Sequence, residues 1–246
     1  MKNPKRIYAA ADSNMSFWHS ATFSNDGKKM LFSDEWGGGS APRCRKTDKY
    51  EWGADALFTI ENGQTVFKSY YKMPAAQTSM DWTDVSHPKE IAFFDRGPID
   101  TVSTGANGGS WSIYWYNGFM YSSEIGRGLD VFELLPSAFI SEHELAAART
   151  VKYTYLNVQG QQQMVWPASF ALAKAYVDQL QRNNGLAAAR IASLTGEIAA
   201  AEKSSSAGRK TALILLGAKL DSEAGASADT NKVRMLSATI KELAAR

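Results

Sequence analysis

The sequence lacks the features that mark a membrane span, a signal peptide or a disulfide framework. No run of about 18 apolar residues occurs, so we predict no membrane-spanning helix. The N-terminus is basic but has no apolar segment long enough for a signal peptide, so no export signal is expected. Cys44 is the single cysteine, which excludes an internal disulfide and a zinc-binding cysteine motif. We expect it to be a thiol in a surface loop.

Charge of one sign is not in excess, and aromatic residues are missing from the C-terminal part. The 27 Lys and Arg residues are nearly balanced by 25 Asp and Glu residues. Nucleic acids and anionic membranes select basic clusters, so we predict no nucleic-acid partner. The last sixty residues contain no aromatic residue, whereas six of the seven tryptophans lie before residue 120. This shift in composition predicts two kinds of architecture in one chain.

From residue 16 to about residue 134 the pattern is typical of β structure. Short aromatic and β-branched segments alternate with turn signals, among them Asn62-Gly63 and Asn117-Gly118. Asn-Gly supplies the positive φ that two-residue hairpin turns require, so it predicts antiparallel neighbours. The predicted strands are 19–24, 29–34, 54–61, 65–72, 90–95, 111–116, 119–124 and 129–134.

Two pairs of segments look like internal copies. Residues 3–7 parallel residues 87–91, and the hairpin at 19–35 parallels the hairpin at 111–124. Repeated four-stranded meanders are typical of β-propeller blades, with a twisted sandwich as the alternative. We therefore predict a partial β-propeller of four-stranded antiparallel meander blades over residues 1–135. The predicted strands make one full blade, one three-stranded blade and two lone strands, which follow Pro4 and Pro88.

After Pro136 the pattern changes to helix. Ser141 and Glu144 form a capping-box pattern that predicts a helix to about Arg149. Tyr153 begins a short segment that we interpret as extended, to residue 158. Further helices are predicted from Pro167 to the Asn-Asn-Gly sequence at 183–185, and over 186–203, 209–221 and 230–245. Their narrow apolar stripes favour helical hairpins, or packing on another surface, over a large core. The predicted second domain is thus a helical tail over residues 136–246.

Three segments carry a family resemblance. Residues 19–44, with the sequence HSATFSNDGKKMLFSDEWGGGSAPRC, resemble the LVIVD-repeat β-propeller proteins of bacteria. Residues 84–91 resemble the loop and strand of that repeat, and residues 128–132 resemble its hydrophobic strand. The resemblance covers most of residues 1–135, and the helix near residues 166–185 is similar to the tail of some of these proteins.

The resemblance implies a secreted or cell-surface protein whose biochemical role is mostly unassigned. It also implies that about three strands are missing between Met80 and Asp81, and that Cys44 has lost a partner there. On this basis we expect the chain to be a fragment of a longer protein.

The first hairpin and the loop after it hold the candidate binding residues. Hairpin pairing brings His19 near Asp34 and Glu35. An imidazole with carboxylates is able to bind a divalent metal or act as a base, but polar residues on inner strands more often hydrogen-bond within and between blades. The long Gly-rich loop that follows contains Trp36, Arg43 and Arg45. Loops of this length are often functional, so we predict a ligand or partner contact there.

A second candidate cluster lies at a Gly-rich turn. Glu124, Arg127 and Asp130 flank this turn, which we interpret as a solvated bend, with a salt bridge on a binding face as the alternative.

No known catalytic motif is present. The sequence has no Ser-His-Asp spacing, nucleophile elbow or zinc signature, so we predict no catalytic residue and no cofactor. The leading hypothesis is a non-enzymatic repeat scaffold of unassigned role. It binds a partner or ligand through its blade loops, and its helical tail docks or self-associates. The alternative is a propeller enzyme with a metal-dependent site in the central channel, at the cluster of His19, Asp34 and Glu35.

Overall fold

The computed structural model describes residues 3–35, 47–72, 77–97, 99 and 108–246. Antiparallel sheets occupy the N-terminal part of the described residues, and five α-helices follow in the C-terminal part. This order confirms the predicted change from β structure to helix. The chain divides into two compact units: Met1–Tyr114, Ser122–Asp130 and Leu156–Met164 form one, and Trp115–Tyr121, Val131–Tyr155 and Val165–Arg246 form the other. The predicted boundary after residue 135 stays a prediction.

The first sheet is a four-stranded antiparallel meander, as predicted. Its strands are β1 (Trp18–Phe23), β2 (Lys29–Asp34), β3 (Asp55–Glu61) and β4 (Gln64–Tyr71), in that spatial order. Asn62 and Gly63 connect β3 to β4 with φ values of 52° and 77°. Positive φ at both central residues is the geometry of the type I′ hairpin turn, which explains why the Asn-Gly pair located this hairpin correctly.

The core of the first sheet is small and aromatic. Ala56 and Phe58 on β3 are at most 5% exposed. The Phe32 ring packs edge-on against Phe58 and Trp18, with centroid distances of 5.4 and 4.8 Å. The remaining members of this cluster are Met15, Met30 and Tyr70.

A second, two-stranded sheet corrects one prediction. β5 (Gln77–Asp81) pairs antiparallel with β6 (Lys89–Phe94), so the interpretation of the strand near residue 90 as a lone strand was wrong. β5 was missed because the sequence of residues 77–81 is mostly polar and has no apolar alternation. Its strand conformation comes from the ladder with β6, in which Asp81 lies opposite Lys89.

The segment after Pro4 forms no strand, which corrects a second prediction. Residues 3–11 are all exposed, and Ile7 retains 83% of its accessible surface. Residues 153–157, predicted as extended, also lie outside any strand, and a short 3-10 turn follows at Val158–Gly160.

The third sheet contains three antiparallel strands in the described part of the chain. These are β7 (Ser110–Tyr116), β8 (Phe119–Glu124) and β9 (Gly128–Phe132), in that spatial order. Asn117 and Gly118 connect β7 to β8 with positive φ values of 53° and 104°. The eight strands predicted from the sequence are therefore observed in the three sheets, with ends shifted by at most two residues.

The C-terminal helices are α1 (Glu142–Arg149), α2 (Phe170–Arg182), α3 (Ala188–Lys203), α4 (Ser206–Ala224) and α5 (Thr230–Ala245). The predicted capping box is present: the Ser141 hydroxyl accepts from the Glu144 N–H, and the Glu144 carboxylate accepts from the Ser141 N–H.

The helices share a large core, so the expectation that their narrow apolar stripes do not form one was wrong. α2 contacts α3 and α5, and α4 contacts the same two helices, which makes a four-helix bundle. Each apolar stripe is narrow, but four stripes converge on one core. Gly217 allows α4 and α5 to pack closely. A Cβ atom at this position would lie only 2.9 Å from Cγ of Lys241 on α5, which is too short for a normal contact. The fully buried large side chains include Leu180, Leu194, Ile198, Leu213, Leu220, Val233, Leu236 and Ile240.

Candidate functional site

The predicted binding residues fall in two groups. His19, Asp34 and Glu35 lie in the first sheet and directly after it. Trp36, Arg43 and Arg45 lie outside the described residues.

Asp34 is buried and bonded to the backbone. It is 8% exposed, and its Oδ1 accepts from the Phe17 N–H at 2.6 Å while its Oδ2 accepts from the Gly53 N–H at 3.0 Å. The next residue, Glu35, also bonds to Phe17: its backbone N–H donates to the Phe17 carbonyl at 2.8 Å. Phe17 directly precedes β1 and Gly53 lies just before β3, so Asp34 at the end of β2 fixes the starts of both neighbouring strands.

His19 and Glu35 form a pair, and Asp34, which is bonded to the backbone, is not part of it. His19 Nε2 lies 3.6 Å from Glu35 Oε2, and the two side chains are 47% and 28% exposed. The ladder between β1 and β2 shifts register at His19, between Trp18 and Ser20. A bulge of this kind re-aims a side chain. The pair is thus accessible beside the start of the long loop.

The other two histidines also lie next to single carboxylates. His87 Nδ1 is 3.0 Å from Asp84, and His143 Nδ1 is 2.9 Å from Asp178. The hydrogen bond from His87 lowers the pKa of Asp84. Among the residues that the structure describes, no group of three or more His, Cys, Asp or Glu side chains is placed to hold a metal ion.

The turn at Glu124 is a buried network, which corrects its interpretation as a solvated bend. Glu124 is 4% exposed, and its carboxylate accepts from the N–H groups of Gly109 and Gly126, both at 2.9 Å. It also accepts from Arg127, through the backbone N–H and through Nη2 at 3.0 Å. The Arg127 side chain, followed by these backbone donors, holds the pKa of Glu124 at about 2. Asp130 is bonded instead to Arg96, at 2.8 Å.

Asp34 and Glu124 occupy equivalent positions in their sheets. Each carboxylate ends the second strand and accepts from a backbone N–H directly before the first strand and from another just before the third strand. In each sheet the N–H of the residue after the acid also donates to the carbonyl of the residue before the first strand. Ile125 donates to the Gly109 carbonyl at 2.9 Å, and Glu35 donates to the Phe17 carbonyl. We call this arrangement the carboxylate clasp.

Sequence reasoning missed the clasp, although a signal for it was present. The internal copy aligned the hairpin at 19–35, which contains Asp34, with the hairpin at 111–124, which ends at Glu124. An acid retained at the end of both copies, directly before a Gly-containing loop, is the pattern expected of a side chain that accepts from loop backbone N–H groups.

Asp55 is a further buried acid that the sequence did not reveal. It opens β3, is 8% exposed, and lies opposite Ser33 and Tyr71 in the sheet. Burial raises its pKa to about 6, since desolvation penalises the charged carboxylate.

Comparison with models of protein families, with curated proteins and with solved structures found no match to this chain. No helix in the described ranges is long and apolar enough to cross a membrane.

Proposed function

We propose that the chain is a non-enzymatic binding scaffold whose sheets are blades of an incomplete β-propeller of the LVIVD-repeat type. The observation that carries this proposal is the repeated carboxylate clasp. Asp34 and Glu124 make the same backbone hydrogen bonds in two sheets of the same strand order. Repeated meander sheets are the architecture of a β-propeller, and the shared clasp supports the interpretation of these two sheets as copies of one unit.

The contact surface that we propose is the loop end of the first sheet. It contains His19 and Glu35, which are partly exposed, and the sequence-predicted residues Trp36, Arg43 and Arg45 of the following loop. Asp34 holds the starts of β1 and β3 together at this end, so the described residues that flank the loop in sequence are bonded to each other. A loop carried on a rigid base is a common arrangement for binding surfaces.

A scaffold role fits this site better than the metal-dependent enzyme. Both Asp34 oxygens already accept backbone N–H groups, so ligation of a cation by Asp34 would have to compete with these bonds. Among the residues that the structure describes, His19 and Glu35 remain as a pair, and two protein ligands are fewer than the three or more that catalytic metal sites usually use.

The test is a binding comparison between charge-reversal variants. The purified chain is used to isolate a partner, which is then purified and titrated directly. Arg43→Glu combined with Arg45→Glu is expected to weaken binding by at least about tenfold. Lys210→Glu combined with Arg234→Glu, at exposed positions on α4 and α5, is the matched control and is expected to leave the affinity unchanged.

Two outcomes would contradict the proposal. One is equal affinity of the loop variant and the control for the partner. The other is turnover of a hydrolase or oxidoreductase substrate by the purified chain that His19→Ala abolishes.

A further inference from the structure

Three Asn-Gly pairs in the described residues have nearly the same backbone conformation at the asparagine. Asn62, Asn117 and Asn184 have φ values of 52°, 53° and 55°, and each precedes a glycine. Asn-Gly is prone to spontaneous deamidation, because glycine has no Cβ atom to shield its backbone nitrogen. Since φ is shared, differences in reactivity are expected to come from the surroundings of each pair. In a fourth pair, at 107–108, the asparagine lies outside the described residues.

Deamidation joins the asparagine side chain to the next backbone nitrogen. The glycine nitrogen forms a bond to the asparagine Cγ and loses its proton. The bond from Cγ to Nδ2 breaks, and Nδ2 leaves with that proton as ammonia. Water then opens the succinimide ring at either of its two carbonyl carbons, which gives aspartate or isoaspartate. The reaction therefore needs a side chain that is able to turn toward the next residue, and a glycine nitrogen that is accessible to it.

At Asn117, hydrogen bonds hold the side chain. Its Oδ1 accepts from the Tyr153 N–H at 2.8 Å, and its Nδ2 donates to the Tyr153 carbonyl at 2.9 Å. The Tyr116 hydroxyl donates to the same carbonyl at 2.9 Å. Asn117 and Gly118 are both half-buried. Turning the Asn117 side chain toward Gly118 would break both of its bonds to Tyr153, so deamidation is disfavoured here.

At Asn184, the glycine nitrogen is held instead. Gly185 is buried, and its N–H donates to the Leu180 carbonyl and to Asn183 Oδ1, both at 2.8 Å. These bonds lie at the C-terminal end of α2. A Cβ at Gly185 would lie 2.6 Å from Cδ2 of Leu180, so the glycine is also closely enclosed. Attack by this nitrogen would require the end of α2 to open.

Asn62 lacks both restraints. Asn62 and Gly63 are exposed in the two-residue turn between β3 and β4. Among the residues that the structure describes, none bonds to the Asn62 side chain or to the Gly63 N–H, and a Cβ at Gly63 would have no atom within 4 Å. We propose that Asn62 is a modification site of the folded protein, at which asparagine converts to aspartate and isoaspartate while Asn117 and Asn184 are retained. This inference does not depend on the loop contact proposed above.

Conversion at Asn62 would alter the first sheet. Isoaspartate adds one main-chain carbon to a turn of two residues, directly after the point where Glu61 lies opposite Gln64 in the ladder between β3 and β4. The matched control is Asn62→Asp, which adds the same charge without the extra carbon. We expect the isoaspartate form of the chain to unfold at a lower denaturant concentration than the Asn62→Asp chain.

Peptide mass spectrometry of the full chain, incubated at neutral pH, tests the proposal. In the folded chain, Asn62 is expected to deamidate at least about tenfold faster than Asn117 or Asn184, because two hydrogen bonds must first break at each of those sites. In the chain unfolded by denaturant, the three sites are expected to react at similar rates. Tyr153→Pro removes the N–H that donates to Asn117, so it is expected to raise the rate at Asn117 and to leave the rate at Asn62 unchanged.

Three results would overturn the proposal. One is a rate at Asn117 or Asn184 in the folded chain that equals the rate at Asn62. Another is reaction at Asn62 only after the chain is unfolded. The third is aspartate without isoaspartate at Asn62, since opening of a succinimide ring gives both products.

Discussion

The helical bundle and the β sheets bury their apolar side chains to very different extents. The bundle has one core, to which α2, α3, α4 and α5 all contribute fully buried residues. Within the described ranges, the main cluster of the first sheet has Met15, Ala56 and Phe58 as its buried members. Exposed large apolar residues show the opposite distribution, with three on α4 and α5 and fifteen at described positions up to residue 131.

This difference indicates that the helices of the bundle cover one another's apolar side chains, whereas the sheets leave many of theirs exposed. Large apolar side chains left exposed on sheet surfaces are typical of elements that pack against a neighbour. A blade of a propeller has such a neighbour on each side. The contrast therefore agrees with the proposal that the sheets belong to an incomplete ring, and it gives measurable differences between the two regions.

The largest effect is expected from truncation in the bundle core. Leu220 on α4 is completely buried, so Leu220→Ala should lower the free energy of unfolding by about 4 kcal/mol through lost burial and a cavity. Leu215→Ala on the same helix should change it by less than about 0.5 kcal/mol, because Leu215 is 67% exposed. Denaturant unfolding followed by helical circular dichroism measures both. Equal losses for the two variants would show that the bundle core is not packed as described.

A substitution in the first sheet is expected to stabilise the protein, in contrast to the bundle. The pKa of Asp55 is raised to about 6 by burial, so the folded state binds its proton more tightly than the unfolded state does. Stability from this residue is complete below its ordinary pKa near 3.8 and is lost as the pH rises through about 6.

Asp55→Asn should therefore raise the free energy of unfolding at pH 7 by up to about 3 kcal/mol, and by little at pH 3.5. The fluorescence-detected unfolding of the parent and the variant at the two pH values measures this difference. A gain of the same size at both pH values would indicate a cause other than desolvation of the carboxylate.

A smaller effect is expected from breaking a clasp. Asp34→Asn replaces one acceptor oxygen by an N–H₂ group, which leaves the Phe17 or the Gly53 N–H without its acceptor. The expected loss is about 2 kcal/mol in the unfolding of the first sheet. Glu35→Gln is the control, because the Glu35 side chain is partly exposed and its partner among the described residues is His19. If Glu35→Gln costs as much as Asp34→Asn, the clasp does not brace the sheet.

The second clasp adds a pH dependence of the opposite sign to that of Asp55. The pKa of Glu124 is lowered to about 2, so its contribution to stability is present above its ordinary pKa near 4.5. That contribution is lost as the pH falls toward 2. Glu124→Gln should abolish this acid-induced loss in an acid titration of the third sheet, and an unchanged titration would contradict the described bonding.

The sequence predicted local structure well and long-range structure poorly. The hairpins were predicted because Asn62-Gly63 and Asn117-Gly118 encode their turns locally. β5 was missed because its strand conformation depends on pairing with β6. The helical core was missed because each stripe is narrow alone, and only the arrangement of four helices makes it large.

The candidate site shows the same division. The pairing of His19 with Glu35 follows from the hairpin and was anticipated. The burial of Asp34 and Glu124 was not anticipated, because in each case it depends partly on backbone N–H groups 15 to 19 residues away in sequence. Composition does not specify such partners, and the one signal for them in the sequence was the acid shared by the two copied hairpins.

The first and third sheets are proposed to be copies of one unit, each built on a carboxylate clasp. Hydrogen exchange at four backbone N–H groups, those of Phe17, Gly53, Gly109 and Gly126, tests this most directly. We predict slow exchange at all four in the unmodified chain. Asp34→Asn should accelerate exchange at Phe17 and Gly53, and Glu124→Gln should accelerate it at Gly109 and Gly126. Rapid exchange at all four in the unmodified chain, or no response to either substitution, would contradict the account.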